Sequence, residues 1–348
     1  MANESSTPGK LRLIQAGVGG HGAGWVRNQT SKSADFDLVA IADVSEKALY
    51  EAGDAIGLPR ERRFASLHEA IAAVPADAVL TVTPPAIHLE HARLAFSRGL
   101  HLMTEKPIAD TVENAKAMVK LAAEANRQLV VTQNYRFKST VRLLRKLIDE
   151  KAVGSFGHGH LDFYIPGDFT GSFRETMDYP LLVDMAIHHM DLIRAVTGKN
   201  IERVTAVSFR PEWSWYRHDP GLKMLMELEG GIPFSYSGDW AAKGRCTSWD
   251  GNWRLQCADG AIHWEDNKVS VSRSEAWCRN ISIAYPDPTP MERGDQAHLL
   301  HAFAESIRTG KPAETSGADN LYSFGAVSAG VVSAKEHRTV AVRDLIDG

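Results

Sequence analysis

The feature that most constrains this chain is a series of short apolar runs, each followed by a helical pattern, through its first 133 residues. Leu11 to Ala16, Asp37 to Ala42, Asp77 to Val82, Leu100 to Met103 and Gln128 to Gln133 have the length and texture of buried strands. Helical patterns lie between them at Ser66–Ile71, Ile87–Arg98 and Val112–Asn126. Gly99 suits the position just past the second of these. Asp110, with Glu113 three residues on, gives a capping-box spacing at the start of the third. Strand–helix alternation with short links predicts a parallel, doubly wound α/β sheet. Such sheets bind their ligands beyond the carboxyl ends of the strands.

Several chemically loaded residues share that address. The first strand runs into Gly17-Val18-Gly19-Gly20-His21-Gly22, a G-x-G-x-x-G turn. Gly17 permits the tight turn, Gly19 lets the backbone approach a pyrophosphate, and Gly22 lets the following helix pack close. The helix that follows offers unpaired N–H groups to phosphates. Such a turn on its own also occurs without a ligand. The second strand ends at Asp43, where a dinucleotide-binding unit places the carboxylate that accepts from the adenosine ribose. A carboxylate there repels a 2′-phosphate, and Val44 follows it rather than an arginine, so NAD is expected over NADP. Ser45 and Lys47 leave some room for NADP. The next strands end at Thr83-Pro84-Pro85 and at Glu105-Lys106-Pro107, which places one ammonium at the mouth of the sheet.

Composition narrows the rest. A length of 348 residues suggests two domains, placed at 1–136 for a nucleotide-binding domain and 137–348 for an α+β domain. The formal net charge of -4 gives no basic excess for nucleic acid or an anionic membrane. Cys246, Cys257 and Cys278 are odd in number and widely spaced, which fits neither a disulfide framework nor a zinc ribbon and suggests a reducing cytoplasm. Met1 to Lys10 is polar and has no signal-peptide core. No run approaches the ~20 apolar residues of a membrane span.

After a helix at about Thr140 to Lys151, the texture changes to period-2 runs such as Ile201–Phe209 and Leu222–Leu228. Glu229-Gly230-Gly231, Asp250-Gly251 and Asp259-Gly260 are turn signals between them. These predict a largely antiparallel open sheet with helices on one face, with a helix from about Ala318 to His337 and a short strand closing the chain. One helix carries chemistry. Pro180 suits its start and Gly198 its end. At ~100° per residue, Asp184, His188 and Asp191 share a stripe, while His189 falls among Leu182, Met185, Leu192 and Ile193 on the apolar side and reads as a core histidine. The alternative for the stripe is a solvated charged face. His158 and His160, with Asp162, share one strand face, but no third ligand has metal-site spacing, so no metal is expected. Seven of the eight tryptophans lie between Trp213 and Trp277 and are expected mainly to fill sheet cores and interfaces. Asp168, Arg174 and Tyr179 precede the helix and are candidates to meet substrate hydroxyls.

Taken together, these motifs resemble the Gfo/Idh/MocA oxidoreductases, the family of glucose–fructose oxidoreductase and inositol dehydrogenase. The family's Glu-Lys-Pro lysine falls on Lys106, its proline pair on Pro84-Pro85 and its downstream histidine on His88. The resemblance implies that these line the nicotinamide end of a cofactor site that includes Gly17, Gly19, His21, Gly22, Asp43, Thr83 and Glu105. Asn134-Tyr135-Arg136-Phe137 looks like the family's exit from the nucleotide domain, and Tyr135 joins the substrate candidates. The signature Asp-x-Gly-x-His-x-x-Asp falls on Asp184, His188 and Asp191, with Ala186 in place of the glycine. Many members have a glycine cluster where this chain has Asp178-Tyr179-Pro180. The implied activity is hydride transfer between NAD and a secondary hydroxyl of a sugar, sugar derivative or cyclitol. Lys106 would stabilise the reacting oxygen, His188 would move the proton, and Asp184 would orient the imidazole or bind a neighbouring hydroxyl. The resemblance also admits an NAD-dependent glycoside-cleaving enzyme and a non-catalytic NAD-binding regulator. It implies a homo-oligomer joined through the free face of the second sheet.

Overall fold

The computed structural model describes residues 9–275, 279–285, 287–288 and 290–348; Trp277 and Cys278 lie outside the described residues. The chain forms two compact units, Met1–Asn134 with Arg293–Leu321, and Tyr135–Glu292 with Tyr322–Gly348. No helix among the described residues is long and apolar enough to cross a membrane.

In the first unit the strands are β1 (Leu11–Ala16), β2 (Phe36–Ala42), β3 (Arg63–Phe64), β4 (Ala78–Thr81), β5 (His101–Thr104) and β6 (Leu129–Val131). They form one sheet in the order β3-β2-β1-β4-β5-β6, parallel at every pairing. The order reverses at β1 and β4, so the sheet is doubly wound and its switch point opens beside the glycine turn. The helices between are α1 (His21–Asn28), α2 (Glu46–Ala55), α3 (Leu67–Ala73), α4 (His88–Ser97) and α5 (Val112–Glu124). Val18, Val26, Ile41, Leu49 and Ala52 form the core where α1 and α2 cover β2. Gly99 follows α4 with φ +72°, the left-handed conformation that ends a helix at lowest steric cost. The start of α5 differs from the sequence expectation. Thr111, not Asp110, caps it by accepting from the Asn114 N–H at 3.1 Å, while Asp110 takes the Asn114 side chain at 2.7 Å.

In the second unit α6 (Ser139–Asp149) leads into β7 (Phe156–Tyr164), and α7 (Ala186–Thr197) into β8 (Ile201–Phe209), β9 (Gly221–Leu228), β10 (Ile232–Asp239), β11 (Asn252–Cys257), β12 (Gly260–Glu265), β13 (Lys268–Glu275) and β14 (Arg279–Ala284). With β15 (Val340–Ala341), these make a nine-stranded sheet in the order β14-β13-β12-β11-β7-β10-β9-β8-β15. Only β7 and β10 pair in parallel; the other pairings are antiparallel. Alternation is visible in β9, where Leu222, Met224, Met226 and Leu228 are buried and Lys223, Leu225 and Glu227 are exposed. Trp240, Trp253 and Trp264 are buried in this unit, the last two stacked at 5.9 Å, as expected of core-filling tryptophans.

The division of the chain differs from two uninterrupted domains meeting at residue 136. Residues 293–321, including α8 (Asp295–Thr309), belong with the first unit, and the break falls inside α9 (Gly317–Glu336) before β15 and α10 (Val342–Ile346) close the chain. Two neighbouring residues at the start of β2 fix α8. Phe36 stacks on Phe303 at 5.6 Å. Asp35, 8% exposed, accepts from Arg308 at 2.8 Å, His301 at 3.0 Å and Arg293 at 3.2 Å. Burial opposes ionisation of Asp35, but the bonds and charges of Arg308 and His301 outweigh it and hold the carboxyl below its ordinary value. A depressed folded-state pKa stabilises the fold above the unfolded value of ~3.9. That contribution is lost as pH falls through the folded value. Asp35→Asn is therefore expected to destabilise the protein by about 1–3 kcal/mol at neutral pH. Denaturant melts should show the gap to wild type closing as the pH drops below 4 or so.

Candidate active site

The glycine turn is built as the motif requires. Gly17 has φ +83°, and a Cβ there would sit 2.1 Å from the Val82 carbonyl oxygen; one on Gly22 would sit 2.2 Å from the Gly17 oxygen. Both positions are closed to larger residues by backbone. Gly19 is different, because its nearest neighbour is the Ala48 methyl at 3.7 Å. The protein itself has room for a side chain at Gly19, so the open space over the turn is available to a ligand. Buried Gln15 braces the turn from below, donating to the Gly17 and Gly22 carbonyls at 3.1 and 2.9 Å and accepting from Thr30 at 2.9 Å. Nothing in the sequence marked Gln15, which sits in an otherwise apolar strand.

Asp43 stands at the end of β2 with Oδ2 accepting from the Val18 N–H at 2.8 Å and the Gly19 N–H at 3.2 Å, and Oδ1 from Ser45 at 2.8 Å. Its carboxylate therefore sits over the turn, while Val44 beside it is 96% exposed. Thr83 packs against Gly17, and its hydroxyl is buried without a hydrogen-bond partner among the described residues. Pro84 is exposed and Pro85 begins a short 3₁₀ turn. A dinucleotide fits this donor set: open space over Gly19 at the start of α1, an acceptor at Asp43 for ribose hydroxyls, and an unsatisfied hydroxyl at Thr83.

The family resemblance implies that His88 lines the nicotinamide end. It is 0% exposed, with Nδ1 3.1 Å from the Ile108 carbonyl and Nε2 2.9 Å from the Thr83 carbonyl. Burial is the largest influence on it and lowers its pKa despite those carbonyls. The ring ties the Pro84-Pro85 loop to the segment after Pro107, so its contact here is with the loop that carries Thr83.

Glu105 is the pin of this edge. It is 8% exposed and accepts from the Trp25 indole N–H at 2.8 Å, with His21 Nε2 at 3.2 Å on the same oxygen. Its other oxygen takes the Lys106 backbone N–H at 3.0 Å, which also reaches the Thr132 hydroxyl at 3.2 Å. Burial disfavours the carboxylate, but bonds from His21 and Thr132 and the charges of His21 and Lys106 prevail and lower its pKa. Glu105 thus stays ionised, and it joins α1 to the end of β5 where half-buried Lys106 projects. The Lys106–Pro107 peptide is cis. Trp25, the eighth tryptophan, carries no sequence signal of this role; its indole is what reaches Glu105 across 80 residues.

In the second unit Pro180 is followed by one π-helical turn, Leu181–Met185, and then α7, which ends at Gly198 with φ +68°. The π turn lies just where Asp184 is carried, and such turns concentrate at functional positions. Tyr179 before it has φ +51°, a conformation that disfavours any residue with a Cβ. The stripe is not a solvated face. Asp184 accepts from Arg174 Nε at 2.5 Å, with only 14% of its side chain exposed. Arg174 also lies over Phe169 and Phe173, at 5.0 and 4.6 Å. His188, 7% exposed, stacks on Tyr135 at 4.3 Å and 15°. Asp191, 1% exposed, takes Arg136 Nε at 2.9 Å and the Ser323 hydroxyl at 2.8 Å. Consecutive residues Tyr135 and Arg136 therefore clasp α7 at positions 188 and 191. His189 is a core histidine as expected, between the Tyr236 hydroxyl and the Trp249 carbonyl at 3.0 Å each, with burial pushing its pKa down to about 4.

The remaining candidates are occupied locally. His160 lies between Ser235 at 2.7 Å and Asp162 at 2.9 Å, and His158 is exposed. No group of three metal-ligating residues forms among the described residues. Asp168 accepts from the Thr170 N–H in its own turn.

The two glycines separate folding from binding. Gly17→Ala is expected to cost about 3 kcal/mol or more, through strain and clash. Gly19→Ala should leave the melting temperature of the free protein within a degree or two yet weaken NAD binding at least tenfold in a calorimetric titration. Unchanged affinity in Gly19→Ala would remove the turn from the cofactor site.

Residues 12–133 match the model of the oxidoreductase family with an NAD-binding Rossmann fold, and residues 141–263 match the GFO/IDH/MocA C-terminal domain. An uncharacterized protein of Sinorhizobium fredii, y4oX, is 27% identical over 96% of each chain. A D-apiose dehydrogenase of Paraburkholderia graminis is 24% identical over 92% of this chain and 87% of its own. Among solved structures, an oxidoreductase from Agrobacterium radiobacter in complex with NAD+, L-tartaric acid and magnesium superposes with a TM-score of 0.86 at 21% identity, covering 97% of this chain and 99% of that one. The six-stranded parallel sheet, the glycine turn and the mixed nine-stranded sheet thus agree with the matched models: the chain belongs to the Gfo/Idh/MocA family of oxidoreductases.

Proposed function

We propose that this protein is an NAD-dependent dehydrogenase that oxidises a secondary hydroxyl of a sugar, sugar derivative or cyclitol. The observation that carries the reading is the buried, ionised Glu105, which fixes Lys106 at the same sheet edge as the glycine turn. A dehydrogenase relative acting on D-apiose supports the substrate class. Bound NAD supplies the hydride acceptor. Lys106 presents a positive donor to the substrate oxygen as alkoxide character develops. His188 takes the hydroxyl proton, a task that suits an imidazole near neutral pH. Asp184 holds Arg174, and Arg174 with Tyr179 faces the substrate's other hydroxyls.

The choice of NAD rests on Asp43. A 2′-phosphate would meet its carboxylate, and the groups nearest in sequence are used elsewhere: Ser45 caps α2 through the Ala48 N–H, and Lys47 lies 3.8 Å from Glu51. Free thiols at Cys246 and Cys257 fit a reducing cytoplasm. Assembly through the open face of the second sheet, which carries His160, Asp162, Lys223 and Arg254, completes the reading.

The test is an NAD-reduction screen over aldoses, inositols and simple glycosides. Net NADH with a free sugar or inositol is expected; glycoside cleavage without net NADH would replace the reading with a transient-oxidation glycosidase. Lys106→Ala should keep NAD affinity within a few fold and lower turnover by about 10²–10³. Wild-type turnover in that variant would remove Lys106 from the mechanism. Steady-state kcat/KM should favour NAD over NADP by at least tenfold, and a preference for NADP would contradict the role given to Asp43.

A further inference from the structure

Two adjacent histidines of α7 are gripped by two adjacent residues of one turn. The Trp249 carbonyl can only accept, so His189 carries its proton on Nε2, and Nδ1 accepts from the Tyr236 hydroxyl. The next residue, Asp250, reaches His188 by a longer route. Its carboxylate, on a side chain 11% exposed, takes the Lys138 ammonium at 2.5 Å. That ammonium lies 3.7 Å from the centre of the Tyr135 ring. The His188 imidazole lies over the same ring at 4.3 Å. Two groups this close cannot share one face of a phenol ring, so Tyr135 is sandwiched between them. Asp250 is itself fixed, because its carbonyl accepts from the Trp253 indole at 2.7 Å and its N–H donates to Ser248 at 3.3 Å.

We propose that Lys138 and Asp250 are positioning residues for His188, acting through the ring of Tyr135. The inference rests on the reading of His188 as the proton-transfer group. Asp250 fixes the ammonium, and the ammonium holds the electron-rich ring face by a cation–π contact. The opposite face then sets the plane of the imidazole. Both ring nitrogens lie in that plane, so turning the imidazole about its own axis would break the stack. This restricts the directions in which His188 can take a proton, the kind of orientation that lowers a barrier without touching the reacting atoms. A flexible, solvated lysine at position 138 would have no such effect; this one is held by a buried acid.

The contact chain is testable on the full-length protein without knowing its substrate. With histidine isotopically labelled, the ring protons of His188 are assigned by their loss in His188→Gln. Stacking on Tyr135 should displace them upfield of free histidine. Lys138→Met and the milder Asp250→Asn should move them back towards free histidine, while Lys138→Arg, which keeps the cation, should leave them near wild type. On whichever screened sugar or cyclitol the wild type oxidises, Lys138→Met should lower kcat about tenfold with KM within about twofold, and Lys138→Arg should recover most of the loss. Ring protons that stay in place in both Lys138→Met and Asp250→Asn overturn the proposal alone. Wild-type turnover in His188→Gln overturns it together with the reading on which it rests.

Discussion

A buried carboxylate at the end of β5 is the contact on which the first unit's chemistry depends. Glu105 is nearly inaccessible, and an ionised group so placed is tolerated only when its lone pairs are filled. Trp25 and His21 fill them from α1, Thr132 from beyond β6, and the next residue's own N–H completes the set. The satisfaction of one charge therefore ties α1, the end of β5 and the residue after β6 together. The glycine turn precedes α1, so its place relative to Lys106 is set by the same contact. Below it, Gln15 does for the turn's carbonyls what Glu105 does for its helix.

The second unit solves a similar problem with ion pairs and rings. Asp184, His188 and Asp191 are drawn out of water against Arg174, Tyr135 and Arg136, and Asp191 takes the Ser323 hydroxyl as well. Removing one partner of a buried pair such as Arg136–Asp191 leaves an uncompensated charge, which is costlier than never having built the pair. The arrangement thus acts more as a fixing device for α7 than as a source of net stability. Tyr179, held at positive φ where many members have a glycine cluster, shows the same preference for a fixed side chain at some backbone cost.

Much of this was legible from sequence because it is local or periodic. Strand ends follow from apolar runs, and a glycine turn with an acid one strand later is a spacing that short-range geometry dictates. The core role of His189 followed from its neighbours on the helix. What escaped depends on contacts between residues far apart. Nothing near Gln15 or Trp25 announces the groups they meet, and the return of α8 to the first unit rests on Asp35 and Phe36, more than 250 positions away from their partners. His88, at a motif position, is buried with its ring between the Thr83 and Ile108 carbonyls, one of which its single N–H can serve. Asp110 lost the cap to Thr111 by one residue, within the usual uncertainty of helix ends. The π turn at Asp184 is invisible to a constant angular period, which assumes an unbroken α-helix.

The central claim is that the ionised Glu105 couples the cofactor turn to Lys106. Glu105→Gln tests it most directly, since the amide keeps the shape and removes the charge. NAD affinity by calorimetry and turnover on a substrate found for the wild type, measured beside a thermal melt, should both fall, turnover by about tenfold or more. A folded Glu105→Gln protein with wild-type affinity and wild-type turnover would contradict the account.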